Sequence, residues 1–435
     1  PQRTAARPPN SSPHTPAPHS HVPLPLPPPR CPPGPTSAIP PRGVPVSTAT
    51  LTSSPRAALL APSRHDASPW RRRAPGEKRG GNEGEAGGTG VPERGRRAGG
   101  QEGPAGGGEG RYRRERALAL RSSSSALYNN LTVLCPPARP PRAFGAVHGT
   151  TLSLLGPEGP PRQLPARGGG SALSTPLLTQ AAWCELPARV LLVLTSQRGV
   201  QADGSTLVFW HALDVPEHPA AHSVFARGIS VAGERFICVG TSSGAVLVFD
   251  IPPKGTNVTL SEVLEQHRDP VTDIAAEQGQ APEGAGDLVT ADDSGTLCLW
   301  STGEEFTLLG KIPGSGCTCS SVTLWNGIVA AGYGNGQIQL WEAGTGQLRA
   351  QVSAHARWIY ALDLAPLTGK LLSGAEDSFV HVWKLSRDPD TDDVEIQHCH
   401  AECVTDTQVC GARFCDPAGD TFAVTGYDLS EILCY

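Results

Sequence analysis

The run SAHARWIYALDLAPLTGKLLSGAEDSFVHVWK, residues 353–384, decides the fold. Its apolar residues come in short strand-like runs, WIYALDLA and KLLSGA, and then the polar turn residues of AEDS intervene. Alternation resumes in FVHVW and stops at Trp383. Two such runs joined by residues that tolerate positive φ spell a β-hairpin. The same hairpin recurs upstream. TADDSGTLCLW ends at Trp300, AGYGNGQIQLW ends at Trp341, and GTSSGAVLVFD puts Phe249 in the place of the Trp. The two Trp-to-Trp separations are 41 and 42 residues, and Phe249 precedes Trp300 by 51. Further strand-like runs flank each hairpin, as WIYALDLA and VEIQHCH do around the last one. Four short antiparallel strands repeated at this period make the blades of a β-propeller.

The repeat propagates outward to fix the domain. Residues 111–435 carry this texture and, at roughly 45 residues per blade, predict seven blades. The expected blades are Tyr128–Leu155, Thr179–Leu213, Ser223–Glu265, Val271–Ile312, Cys319–Val352, Trp358–His398 and Cys410–Tyr435. In the second, the hairpin QRGVQADGST leaves little room for a full third strand. The seventh supplies only three strands. RERALALR, residues 114–121, is an isolated strand before the first blade, and it would complete the seventh and leave no open edge in the ring.

Residues 1–110 are of another kind. PLPLPPPRCPPGP and GGNEGEAGGTG are rich in Pro and Gly, and they cannot bury enough apolar surface to offset the entropy of ordering. A disordered low-complexity tail is expected there. It carries 14 Lys+Arg against 7 Asp+Glu, whereas residues 111–435 carry 22 against 34, so the formal net charge of −5 hides a basic tail on an acidic domain. The chain has no Met, and the tail uses residues that GC-rich codons supply. These features predict translated leader, with the authentic start near Arg111 or Tyr112. Arg71–Arg73 and the run ERGRR, Glu93–Arg97, could neutralise phosphates, but acidic residues are interspersed and few aromatics accompany them. A solvated tail is the reading.

No run of 18 apolar residues exists, and the early apolar patches are broken by Pro, so neither a transmembrane helix nor a signal peptide is expected. The 12 cysteines sit mostly inside strand-like runs, such as Cys238 in FICVG and Cys298 in TLCLW, where reduced thiols pack as small hydrophobes. That usage points to the cytoplasm, and makes the sequons at Asn130 and Asn257 chance matches.

Residues 353–384 resemble a complete WD repeat, with Ala354-His355 in place of the family's Gly-His and Trp383-Lys384 in place of Trp-Asp. The resemblance to the WD-repeat β-propeller family implies an all-β, seven-bladed fold closed by an N-terminal strand. It also implies a hydrogen-bonded set tying each blade, matched here by His355, Ser373, Asp377 and Trp383. Blade four keeps His267, Thr290 and Trp300, but Ser294, beside Asp293, holds the turn position. Blade five keeps Trp341, has Asn335 at the acid's position and lacks an evident His. Blade three has Phe249-Asp250. Such a network suits a small blade, because buried polar groups must be paired.

The function implied by the resemblance is a non-enzymatic scaffold that binds other proteins in cytoplasmic signalling or complex assembly. Its protein-binding residues are not marked by any motif, nor is its oligomeric state. The family's ubiquitin-ligase receptors display Trp-Asp-x-Arg, and the runs WSTG, WEAG and WKLS depart from it. A nucleic-acid-associated propeller is the alternative, opposed by the acidic domain. An enzyme would need convergent chemistry: Asp292–Asp293 and Asp392–Asp393 read as turns, and GYGNG, Gly332–Gly336, lacks the helix that binds a phosphate. HCHAEC, His398–Cys403, with Cys410 and Cys415, has zinc-ligand chemistry but untidy spacing. Buried core cysteines, with His398 or His400 standing in as a blade histidine, are expected instead. No catalytic residue, metal or cofactor is assigned.

Overall fold

The computed structural model describes residues 112–122, 127–135, 143–156, 160–167, 175–203, 207–213, 224–278, 281–404 and 406–435. The reading of residues 1–110 as a disordered tail lies outside them. The described residues form 28 strands and no helix. The strands pair into seven four-stranded antiparallel sheets.

Ring closure follows from the sequence's missing strand. Blade seven has its inner strand at Val409–Phe414, its second at Phe422–Gly426 and its third at Glu431–Cys434. Arg116–Ala119 adds the outer strand, with Arg116 opposite Cys434 and Ala119 opposite Glu431. The two ends of the folded unit thus share one sheet, as expected from RERALALR.

Two blades correct the sequence reading. Blade one extends past Leu155 to an outer strand at Arg162–Pro165, whose RQLP has no apolar run to announce it. Blade two has a full third strand, Gly199–Asp203. It is paired from Val200 to Asp203 on one side and from Gly199 to Asp203 on the other. Five residues suffice because the strand is short, not absent.

A bulge repeats around the ring. In blades two to seven the inner strand carries one extra residue against its neighbour: Thr179, the Arg227-Gly228 step, Thr272, Ser320, Tyr360 and Cys410. A bulge twists its strand and re-aims a side chain. Here it aims hydroxyls at the next blade. Thr179 Oγ1 donates to Ala226 O and Thr272 Oγ1 to Cys319 O, each at 2.5 Å, and Ser320 Oγ donates to Ile359 O. A second bulge sits opposite the repeat aromatic, where the outer strand gains Ser261, Leu309, Arg349 or Cys399 beside Phe249, Trp300, Trp341 or Trp383.

The core lies between blades. Val289 and Leu299 of blade four pack on Val322 and Leu324 of blade five, all almost wholly buried. One such cluster fills each of the seven junctions. Burying one such aliphatic side chain is worth about 1.5–3 kcal/mol, so each blade depends on both neighbours. The hairpin glycine is needed where the chain passes close: at Gly336 φ is +81°, and a Cβ would lie 2.1 Å from His355 O.

Candidate functional site

The blade-tying residues come together in two blades. In blade six, Trp383 Nε1 donates to Ser373 Oγ at 3.0 Å, and Ser373 Oγ lies 2.8 Å from His355 Nε2. His355 Nδ1 lies 3.1 Å from Asp377 Oδ1. Asp377 also accepts from Ala356 N and Phe379 N. A histidine protonated on Nδ1 satisfies the whole chain, from indole to hydroxyl to imidazole to carboxylate. Burial pushes the Asp377 carboxyl up, but the His355 bond and charge and the two amides hold it below the ordinary range.

Blade four reaches the same end by another residue. His267 Nε2 lies 2.7 Å from Thr290 Oγ1, which accepts from Trp300 Nε1 at 3.0 Å. The acid is Asp292, whose Oδ2 is 2.9 Å from His267 Nδ1. Ser294, the residue at the repeat's turn position, instead donates through N and Oγ to Asp292 Oδ1, which also takes the Thr296 amide. The acid has moved two residues back, and the turn hydroxyl braces it. Asp293 points elsewhere and accepts from Thr318 Oγ1.

The other repeat positions do not form this set. Phe249 is buried against Phe209 and His211 at ring separations of 5.5 and 5.2 Å, and Asp250 pairs with Arg235 at 3.0 Å. Trp341 sits in the junction with blade four. Asn335 caps its own turn, accepting from Gln337 N and donating to Gln337 Oε1. The stand-in role expected of His398 or His400 is corrected. Both lie on the outer strand of blade six, Val394–Cys403. His398 packs on Trp383 of its own blade at 4.9 Å, and His400 packs beside Tyr112 at 5.1 Å. Cys410 and Cys415 are buried. Among the described residues, no three His, Cys, Asp or Glu side chains gather as metal ligands. Asn130 is buried and its Oδ1 accepts from Thr425 Oγ1, so this sequon is closed to modification.

The residues that line the central channel escaped the repeat pattern. Tyr128, Asn129 and Asn130 enter it, with Asn129 at φ +54°. The Arg227 guanidinium lies 3.5 Å from the Tyr128 ring centre, and Tyr360 stacks on Tyr128 at 6.1 Å. Below this plug, inner-strand side chains bridge successive blades. Thr132 Oγ1 accepts from Trp183 N, Gln180 Oε1 from Gly228 N, Asp273 Oδ2 from Val322 N, Ser321 Oγ from Leu362 N, and Asp363 Oδ2 from Phe414 N. Arg413 joins blade seven to blades six and one, reaching Asp363 Oδ1 at 3.0 Å, Asn129 Oδ1 at 2.7 Å and Leu131 O at 3.3 Å.

The other end of the channel is open. A cavity of about 1030 Å³ is lined there by the ends of the inner strands and the turns after them. Glu185, Glu234, Glu277, Asp287 and Asp416 are among its walls, with Asp273 and Asp363 deeper and Arg413 the lining cation. Burial pushes the carboxyls of Asp273 and Asp363 up, opposed by the charge of Arg413. Burial also raises Glu185 and Glu277, the latter opposed by amide bonds from Gly327 and Asn326.

The WDR54 family model matches residues 111–435. The chain belongs to the WDR54 family. It is 61% identical over 330 residues to WD repeat-containing protein 54 of Mus musculus, which spans 74% of this chain and 98% of that protein. The identity to WD repeat-containing protein 54 of Homo sapiens is 59% over 329 residues, with the same coverage. A chain of the Crystal Structure of Mitotic Checkpoint Complex superposes with a TM-score of 0.58 at 16% identity, covering 77% of this chain and 96% of that one. That likeness is one of fold. Membership of the WDR54 family makes the chain a WD-repeat propeller, and such propellers typically act by binding proteins.

Proposed function

We propose that the protein is a non-enzymatic interaction scaffold, working in cytoplasmic signalling or complex assembly. One observation carries this reading: the charged groups deep in the channel, Asp273, Asp363 and Arg413, are already committed to holding blades together. Each bonds to an adjacent blade or to the plug. What the ring presents outward is turns on two faces of a braced disc, a geometry that can hold several partner segments at once. Cys184, Cys238, Cys298 and Cys319 are buried inside strands, where thiols pack as small hydrophobes. No described helix is long and apolar enough to cross a membrane. The acidic balance of residues 111–435 opposes direct contact with nucleic acid.

The test is cross-linking of the intact chain to its partners in cells, followed by mass spectrometry. The expected result is a reproducible partner whose cross-links gather on one turn-bearing face, and whose capture falls when exposed Glu185 and Glu234 are both changed to Lys. Turnover of a small molecule with no stable protein partner would overturn it.

A further inference from the structure

The open end of the channel holds carboxylates that face no cation. Its cavity of about 1030 Å³ has one lining cation, Arg413, against seven carboxylates. Arg413 is already committed to Asp363, at 3.0 Å. At the mouth, Glu185 lies at the end of the inner strand of blade two, Leu178–Leu186. Glu234 stands in the turn after the inner strand of blade three, Ala226–Ala232. Both are exposed, and among the described residues neither makes an ion pair. Glu277 and Asp287 of blade four continue the same rim. Glu277 accepts from the amides of Asn326 and Gly327, and Asp287 from N and Oγ1 of Thr302. These donors are neutral and leave both charges uncompensated. Burial pushes Glu277 up, the two amide bonds oppose it, and the charge of Asp287 adds to it. A cleft lined by one sign of charge focuses its field into the opening.

A second feature lies inside. Thr323 lines the cavity from the inner strand of blade five, Cys319–Trp325, and is only 8% exposed. It follows two residues after Ser321, whose Oγ bonds to Asp273 Oδ2 at 2.8 Å in the channel. Strand alternation therefore puts both side chains on the channel face. Ser321 is satisfied, whereas the Thr323 hydroxyl has no hydrogen-bond partner. An unpaired buried hydroxyl costs about 1–3 kcal/mol, and an acceptor brought in by a ligand removes that cost.

We propose that this mouth binds a basic peptide segment, with an arginine or lysine side chain seated among the carboxylates of blades two to four and the segment's backbone reaching the hydroxyl of Thr323. This rests on the scaffold reading and gives the partner a chemistry. The cavity stands at the upper end of the about 300–1,000 Å³ that enclose small molecules, room for several residues of chain. The carboxylates are spread over three blades and do not gather as metal ligands among the described residues, which suits an extended chain and not a single ion. A guanidinium or ammonium meets them as a charge-assisted donor, the stronger kind of hydrogen bond.

The test is fluorescence anisotropy of the intact chain with a short labelled peptide of Gly, Ser and Arg, beside the same peptide with citrulline for each Arg. The Arg peptide is expected to bind, more weakly as salt rises, and the citrulline peptide is expected not to bind. Glu185→Gln with Glu234→Gln is expected to weaken the Arg peptide about tenfold. Glu304→Gln with Glu305→Gln removes the same charge from the turn whose Thr302 bonds to Asp287, outside the cavity, and is expected to leave binding unchanged. Thr323→Val removes the unpaired hydroxyl at nearly constant shape. Its melting temperature is expected to equal or exceed that of the wild type, while the peptide binds severalfold more weakly. Equal loss in the two glutamate pairs would reduce the effect to net charge and overturn the site. Wild-type binding by Thr323→Val would overturn the seating against blade five. Spermine competing at equal concentration would overturn the peptide as the ligand. No binding of the Arg peptide, with a partner still captured by cross-linking in cells, would overturn the site and leave the scaffold reading standing.

Discussion

His267 Nδ1 lies 2.9 Å from Asp292 Oδ2, with both side chains almost wholly withdrawn from water, at 0% and 2% exposure. The equivalent pair in blade six, His355 and Asp377, is 3.1 Å apart, and its carboxylate is 12% exposed. A buried pair with one partner removed leaves the other uncompensated, whereas a partly solvated group can turn to water. Asp292→Ala strips His267, Ser294 and Thr296 of their acceptor together. It is expected to cost about 3–5 kcal/mol. Asp377→Ala is expected to cost about 1–3 kcal/mol. Thermal melts of both variants beside Ser294→Ala check the order. A Ser294 effect as large as that of Asp292 would place the acid's role back at the turn position.

The acids of this ring respond to pH with opposite signs. Asp292 and Asp377 are held below the ordinary carboxylate range in the folded chain. Their contribution is present above the unfolded value, about 3.9, and is lost as pH falls through the lower folded value. Asp273 and Asp363 are raised. The folded chain therefore takes up their protons before the unfolded chain does, and their contribution grows as pH falls through the raised folded value. Melting temperature against pH is expected to fall less steeply below pH 4 in Asp377→Asn than in the wild type. In Asp273→Asn the acid side is expected to lose stability sooner, because the opposing gain is gone. Parallel curves in all three proteins would refute the assignment of signs.

Removing residues 112–122 takes away the outer strand opposite Glu431–Cys434. It also takes Tyr112, whose hydroxyl donates to Gly419 O at 2.5 Å and whose ring packs on Phe422. Blade seven would be left with an exposed edge and a weakened junction with blade one, where Leu118 and Leu120 join Phe144 and Ile432. The expected outcome is a lower and broader unfolding transition with increased self-association, measured by calorimetry and light scattering. A melting curve that superposes on the wild type would show that the strand does not close the ring.

The blades were legible where a hairpin and an aromatic recur at a fixed spacing, and the closing strand was legible because one blade lacked a strand that an isolated run could supply. The failures share a cause. Arg162–Pro165 pairs through its backbone and shows no apolar run. Asp292 escapes the repeat pattern because alignment on Trp300 marks the position of Ser294, while hydrogen bonding depends on reach and not on column. The channel network was invisible for a different reason. Arg413 and Asn129 are 284 residues apart, and Arg413 and Asp363 are 50 apart. Their meeting is set by closure of the ring and by the inner-strand bulges, neither of which leaves a local pattern.

That network makes Arg413 the residue whose loss should propagate furthest. Its guanidinium touches blade six through Asp363, blade one through Leu131 O, and the plug through Asn129. Arg413→Met keeps most of the length but leaves the half-buried Asp363 carboxylate without its cation. It is expected to cost about 1–3 kcal/mol. Asp363→Asn alone should cost less, since the amide oxygen can still accept from Phe414 N. If the pair acts as a unit, the double variant is expected to be more stable than Arg413→Met, because the uncompensated charge has gone too. Denaturant unfolding of the two single variants and the double variant forms the cycle that isolates the coupling. Strict additivity would mean that Arg413 acts through packing and its carbonyl contact, and that the two blades are joined at this point by the Asp363–Phe414 amide bond alone.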